Sequence, residues 1–421
     1  MEKKALITLF FISALFSAVA GGLFGDFGEA NFTPLPELPL PIYIRSDGSI
    51  EPSTAPIWHV GDTYTLTADI NNTIEVQRSN IVLDGNGYTL TKPSVDTQNL
   101  MTPAGWLPGV NVTGLSNVTV TNIAFEGCVT GITVENSKDI NLCNNSMNNC
   151  QSGIVILSSS DINIVGNNIA FLKQSFASGI LLLPSNPNGS NPCRLKIEKN
   201  VIVGSGIEVP APPAPQPEQY GIWGLFSDST ITANSIIKIK GIALYNMASN
   251  NLIVGNNFQG NYEGILVNID QRLFFGNNFY GNNFIHNTVN VVIPYIRNYR
   301  PTSNNWDNGS LGNYWSDYEG SDSNGDGIGD SPYIIEITYT DYEQNRNVTI
   351  EQGRDNYPSM TPFNIAPISV ELLQQTPTPP PPSTEPSKAE SLPTIWLVAT
   401  AAVILTVCTG LVFYLKKAQS C

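Results

Sequence analysis

The chain has 421 residues, a formal net charge of −15 and 13% charged residues. That is ample length for a core, and the acidity argues against nucleic acid and anionic lipid surfaces as partners. Cysteine is sparse, and no spacing suggests zinc.

Residues 1–20 read Met-Glu-Lys-Lys, an apolar run from Ala5 to Phe16, then Ala18-Val19-Ala20, which is a secretory signal with an A-x-A cleavage site. A linker spans 21–43. From 44 to 300 the chain repeats with a period of about 22 residues. The segment G-I-x-[VL] recurs as Gly131-Ile132-Thr133-Val134, Gly153-Ile154-Val155-Ile156, Gly179-Ile180-Leu181-Leu182, Gly241-Ile242-Ala243-Leu244 and Gly264-Ile265-Leu266-Val267, with a variant at Gly221-Ile222-Trp223-Gly224. Asn-rich turns lie between: Gly166-Asn167-Asn168-Ile169, Gly255-Asn256-Asn257-Phe258 and Gly276-Asn277-Asn278-Phe279. So short a fixed period means stacked units, a solenoid.

Within each unit apolar and polar residues alternate, as in Asp161-Ile162-Asn163-Ile164-Val165. Period-2 alternation puts Ile and Val on one face of a strand. The runs are too short, and too often broken by Gly and Asn, for crossover helices. The strands therefore coil upon one another as an all-β parallel β-helix. Asn and Gly tolerate the left-handed backbone of tight corners, and stacked Asn amides can hydrogen-bond along the stack. Taking Thr121, Asn145, Asn167, Asn200, Asn234, Asn256 and Asn277 as equivalents gives spacings of 24, 22, 33, 34, 22 and 21. The two long units carry inserts, Pro184 to Pro192 and Pro210 to Glu218, which fall in neighbouring coils and are expected side by side, as binding loops or as neutral surface. Cys128 and Cys150 are one repeat apart and should stack, as a disulfide or as buried thiols. Asp139, Asp161 and Asp228 read as turn formers. Lys196, Lys199, Lys238 and Lys240 form a candidate basic strip with no carboxylate clearly opposite, and His59 and His286 read as ordinary surface or core residues.

Residues 301–363 differ in composition. Trp306, Tyr314, Trp315 and Tyr318 form the densest aromatic cluster, either a platform for sugar rings or a plug for the open end of the solenoid. Next comes Asp322-Ser323-Asn324-Gly325-Asp326-Gly327-Ile328-Gly329-Asp330. Asp322, Asn324, Asp326 and Asp330, with the Ile328 carbonyl, offer alternating oxygens, a partial match to a calcium loop. Position twelve, where a bidentate Glu would sit, is Tyr333, so a ligand from elsewhere would be needed; Asp317, Glu319 and Asp355 are candidates. The alternative is a solvated acidic turn.

The Pro-, Thr- and Ser-rich segment 364–393 reads as an extended stalk. Residues 394–415 read as a transmembrane helix, long enough to span a bilayer, and Lys416-Lys417 place the tail 416–421 in the cytoplasm. Eight N-x-[ST] sequons, at Asn31, Asn71, Asn111, Asn117, Asn144, Asn188, Asn308 and Asn347, lie on the expected exterior.

Ser79-Asn80-Ile81-Val82-Leu83-Asp84-Gly85-Asn86-Gly87, the Asn-rich coils, Gly312-Asn313-Tyr314-Trp315-Ser316-Asp317-Tyr318 and Asp355-Asn356-Tyr357-Pro358 resemble the NosD-type β-helix proteins, within the wider group of carbohydrate-binding and sugar-hydrolase β-helix domains. The resemblance covers roughly 44–363 and implies a right-handed solenoid. The anchored form with a Pro-rich stalk looks like archaeal cell-surface members. The family name implies copper handling, yet copper wants His, Cys or Met ligands, and the two histidines are far apart in sequence while Met is scarce.

Sugar hydrolysis needs two positioned carboxylates, and the coils 116–293 are poor in acids. The expectation is a membrane-anchored extracellular protein for recognition or structure, with a polysaccharide or a cell-surface glycan or protein as partner. The rivals are a polysaccharide lyase or hydrolase, and an accessory protein in metal-cofactor assembly.

Overall fold

The computed structural model describes residues 40–91, 108–171, 177–186, 189–206, 219–245, 248–267, 275–293, 304–341 and 346–365. The expected signal peptide, transmembrane helix and tail, nearly all of the stalk, and the insert 210–218 lie outside the described residues. Among the described residues no helix is long and apolar enough to cross a membrane.

The described chain is all-β, three stacks of short strands plus one hairpin. Sheet A has eleven strands: Ile50–Glu51, Ile42–Ile44, Ile74–Val76, Pro108–Thr113, Thr130–Glu135, Ser152–Leu157, Ala177–Leu183, Gln219–Gly224, Ile242–Tyr245, Glu263–Leu266 and Val289–Val292. Sheet B runs from Ile57–Val60 to Asn278–Tyr280, and sheet C from Thr89–Thr91 to Tyr314–Trp315. Each strand pairs in parallel with its equivalent one coil on, and antiparallel pairing is confined to the first strands and the hairpin Tyr333–Asp341/Arg346–Asp355. This is a parallel β-helix. The module beginning at 301 is not cleanly separate, since Tyr314–Trp315 pairs with Asn283–Ile285 and continues sheet C.

Alternation supplies the core. Val110, Ile132, Ile154, Ile180, Ile222, Leu244, Ile265 and Val291 occupy one column, partner above partner, all buried. Burying each such side chain contributes roughly 1.5–3 kcal/mol. The repeated glycine has a steric cause. A Cβ on Gly131, Gly153 or Gly179 would lie 2.6 Å from the carbonyl oxygen of the glycine one coil on, closer than real contacts allow. Asp139, Asp161 and Asp228 do sit in left-handed corners, at φ 55°, 59° and 52°.

An amide ladder runs through the buried corner. Asn145, Asn167, Asn200, Asn234, Asn256, Asn282 and Asn313 each pass Nδ2–H to the Oδ1 of the next at 2.9–3.1 Å. The spacings are 22, 33, 34, 22, 26 and 31 residues, so the ladder keeps its register across both long units. Two expected members do not belong. Thr121 pairs with Cys143, and it is Ile123 whose N–H meets Asn145. Asn277 sits in a second ladder, Asn251–Asn277–Asn304.

Candidate functional site

Because successive coils are in register, the outward positions of sheet A also form columns. One column reads Tyr43, Glu75, Asn111, Thr133, Val155, Leu181, Trp223, Tyr245, Leu266 and Val292. A second brings Ser178, Tyr220, Ile242, Glu263 and Val289 alongside. Where the two meet, Tyr220, Trp223 and Tyr245 gather with near-parallel planes. Ring centroids are 4.7 Å apart for Tyr220–Trp223, 5.7 Å for Tyr220–Tyr245 and 6.3 Å for Trp223–Tyr245. All three rings are partly exposed. The pile is offset, so part of each ring stays open to solvent, with Leu181 and Leu266 extending the apolar surface in the same column.

Sequence reasoning missed this cluster through a slip in phase. Gly241-Ile242-Ala243-Leu244 spells the repeat, but Tyr220 pairs with Ile242 and Trp223 with Tyr245. The residue at the glycine position is therefore Ala243, whose carbonyl faces Gly221. In each unit the outward residue of the motif is the third, and the true third residue here is Tyr245.

Glu263 lies at the edge of the aromatic pile, half-buried, with no salt bridge among the described residues. Burial pushes its carboxyl above the usual range. Burial and the neighbouring Tyr245 and Glu263 push the Tyr220 phenol up as well. At the far end Asn111 donates to both oxygens of Glu75 at 3.0 Å, and burial holds that carboxyl up too. The face can offer ring surface, hydroxyls and, at its far end, an amide, with half-buried carboxyls among them.

The sequence-predicted aromatics fall elsewhere. Trp306 and Trp315 are 3% and 1% exposed. Trp306 stacks on Phe279 at 4.3 Å, and Trp315 lies between Phe284 at 4.3 Å and Tyr333 at 4.1 Å. A buried ring has no face to offer a sugar, which corrects the platform expectation for these two. Tyr314 and Tyr318 are half-buried, and Tyr318 donates its hydroxyl to the Ser331 carbonyl at 2.5 Å. A residue that sequence reasoning considered only as a possible calcium ligand emerges here. Asp355 is fully buried and ends the amide ladder, accepting from Asn313 N at 2.6 Å, Trp315 Nε1 at 2.9 Å and Tyr357 N at 3.0 Å.

The acidic loop is folded around its own amides. Asp322 accepts from the N–H groups of Gly325, Asp326 and Gly327. Asp326 accepts from Ile328 N–H and the Asn324 amide. Asp330 accepts from Ser323 N–H and Oγ and from Ser321 Oγ, and these hydrogen bonds hold its carboxyl low. Gly325 and Gly327 supply the positive φ these turns require. As folded, no three His, Cys, Asp or Glu side chains among the described residues converge as metal ligands.

The remaining candidates are dispersed. Glu198 supplies the carboxylate that the lysine strip was expected to lack, pairing with Lys196 at 2.6 Å and Lys199 at 3.4 Å. Lys199 and Lys238 are also left-handed corner residues, as is His286. The first insert follows the C-terminal end of Ala177–Leu183, and the second, 210–218, lies outside the described residues. Cys128 and Cys150 are buried thiols in contact, and that contact together with burial raises the Cys150 thiol well above its ordinary value.

The family described as "Periplasmic copper-binding protein (NosD)" matches residues 70–320, more than half of the chain. No curated protein matches. Among solved structures, a variant of the periplasmic alginate epimerase AlgG is 13% identical, with a TM-score of 0.34, covering 57% of this chain and 68% of its own. An alginate lyase from Paenibacillus sp. str. FPU-7 is 14% identical, with a TM-score of 0.29 and coverages of 58% and 86%. The catalytic domain of a GH87 α-1,3-glucanase is 14% identical, with a TM-score of 0.26 and coverages of 57% and 57%. The donor set here does not fit a copper centre. His59 is exposed in the first strand of sheet B and stacks on Tyr64, His286 follows Asn283–Ile285 near the last coil, and Met147 is buried in the core.

Proposed function

The chain belongs to the NosD family of β-helix proteins, and on that premise we propose that it is a membrane-anchored protein of the cell exterior that binds a glycan on the outer face of sheet A. The signal-like residues 1–20, the stalk 364–393 and the apolar run 394–415 support the anchored, exterior placement. The outward stack of Tyr220, Trp223 and Tyr245 carries the binding proposal. Large rings that stay partly wet on a rigid sheet suit the apolar faces of sugars, while phenols suit their hydroxyls. We assign Trp306 and Trp315, with the hairpin 333–355, to closing the end of the solenoid.

The test is retention on a panel of polysaccharides, with released oligosaccharides scored in the same incubation. Trp223→Ala is expected to weaken retention about tenfold or more, as loss of a central aromatic contact does. Retention unchanged by that substitution refutes the site. Glu263, half-buried beside the aromatic pile, favours the enzymatic alternative as a candidate acid, but hydrolysis needs a second carboxylate across the bond. The other acids of sheet A, Glu51, Glu75 and Glu135, are several coils away. Product release would establish the enzymatic reading.

For the loop 322–330 we propose a calcium ion, drawing Asp322, Asn324, Asp326, the Ile328 carbonyl and Asp330 inward in place of some amide contacts. Calorimetric heat with calcium and an EDTA-reversible rise in melting temperature are expected, and the absence of both ends the proposal.

A further inference from the structure

We infer that the glycan accepted by this face is uncharged and that polyuronates are turned away. This rests on the sheet A binding proposal and specifies its substrate class. The eleven strands of sheet A contain four glutamates, Glu51, Glu75, Glu135 and Glu263, and not one lysine, arginine or histidine. Recognition of a chain bearing a carboxylate on every sugar calls for charge-assisted donors, above all the paired N–H groups of arginine. Most of the ion-paired cations among the described residues lie away from the aromatic pile. Arg45 does reach the sheet A face, pairing with Glu51 and lying 4.0 Å over the Tyr43 ring, but at the opposite end of the column from Trp223. Arg194 is paired with Asp161, and Lys196 and Lys199 with Glu198, on or beside the sheet B strand Lys196–Glu198. Lys240 stands two residues ahead of Ile242, outside both outward columns.

Glu263 sharpens the selection. It sits between Ile242 and Val289 in the column that holds Tyr220, half-buried and without a salt bridge among the described residues. A ligand carboxylate laid over Tyr220 and Tyr245 would be brought beside this acid with no cation in the sheet A strands to compensate, whereas a hydroxyl there gains an acceptor. Like charges set together cost enough for roughly tenfold discrimination or more. The acidic net charge of the whole chain acts in the same direction at long range.

The experiment is affinity electrophoresis of the detergent-solubilised full chain through gels holding a neutral glucan, mannan or xylan, sodium alginate, or polygalacturonate. Wild type is compared with Trp223→Ala and with Trp223→Phe, which keeps a ring and guards against misfolding. At least one neutral polymer should retard the wild type and Trp223→Phe but not Trp223→Ala, while both polyuronates leave migration unchanged. Retardation by a polyuronate that is lost in Trp223→Ala overturns this inference and leaves the binding face standing. No retardation by any polymer, or retardation indifferent to Trp223→Ala, overturns the binding face and the inference with it.

Discussion

Asp355→Ala tests the buried end of the amide ladder. The carboxylate is fully buried and accepts from Asn313 N, Trp315 Nε1 and Tyr357 N. Alanine removes the acceptor and leaves the Asn313 and Trp315 donors buried and unmet, at about 1–3 kcal/mol each. With the partly buried Tyr357 amide, the loss should be about 3–6 kcal/mol, a large share of the roughly 5–15 kcal/mol that holds a domain together. Asp355→Asn keeps the shape and one acceptor oxygen and should lose less. Urea unfolding followed by tryptophan fluorescence measures both. The pH dependence has a definite sign. Burial raises the Asp355 carboxyl above 3.8 even against its amide donors. The folded state therefore takes up its proton before the unfolded state does, so the contribution of this group is greatest below the unfolded pKa and is lost as pH rises through the folded one. The stability of wild type relative to Asp355→Asn should thus increase as pH falls from neutral toward about 4. A loss in Asp355→Ala of under about 0.5 kcal/mol, the size of an ordinary surface change, would refute this account of the ladder terminus.

Trp315→Ala should cost about 3–5 kcal/mol by calorimetry or urea titration, because the ring is buried between Phe284 and Tyr333; a weakened ligand affinity with unchanged stability would return Trp315 to the binding site. Asn200→Ala removes the bonds to Asn234 and the Ile164 carbonyl and strands the Asn167 N–H groups that Asn200 accepts, so a loss of about 2–4 kcal/mol in urea is expected. Arg194→Ala should leave the urea midpoint close to that of wild type despite its two-pronged contact with Asp161, since both partners face solvent and water screens the pair. The same contact holds the Asp161 carboxyl at about 2, so what stability it gives is present above pH 3.8 and disappears as pH falls toward 2, visible as a difference between wild-type and Arg194→Ala acid titrations.

The solenoid was legible because its rules are local. Alternation names the inward residue, and Asn, Asp or Gly marks most of the corners where the backbone turns left-handed, although Ser158, Arg194, Lys199, Ala233, Lys238 and His286 occupy others. Phase between coils was not legible, because identical spellings occupy different places. Gly255-Asn256-Asn257-Phe258 and Gly276-Asn277-Asn278-Phe279 read alike, yet Asn256 hydrogen-bonds to Asn282, and it is Gly281-Asn282-Asn283-Phe284 that continues its corner. Asn277 belongs to the corner of Asn251. Both corners need a buried amide to satisfy the next coil, so composition cannot tell them apart.

The same degeneracy hid the binding face. Gly241-Ile242-Ala243-Leu244 passes for a repeat by its spelling, while its true partner frame begins at Ala243, two residues on, and Ile242 aligns with the outward Tyr220. The spelling hides the error, because Leu244 faces the core while Ile242, although an outward residue, is covered and buried like a core one. The outer columns do not, since the shift separates Tyr245 from Trp223. Core residues are specified by alternation alone, whereas a ligand face is specified by which coil's third residue stands above which. In this chain that information lies in the pairing of Tyr220 with Ile242, set by the close approach of Gly221 to the Ala243 carbonyl.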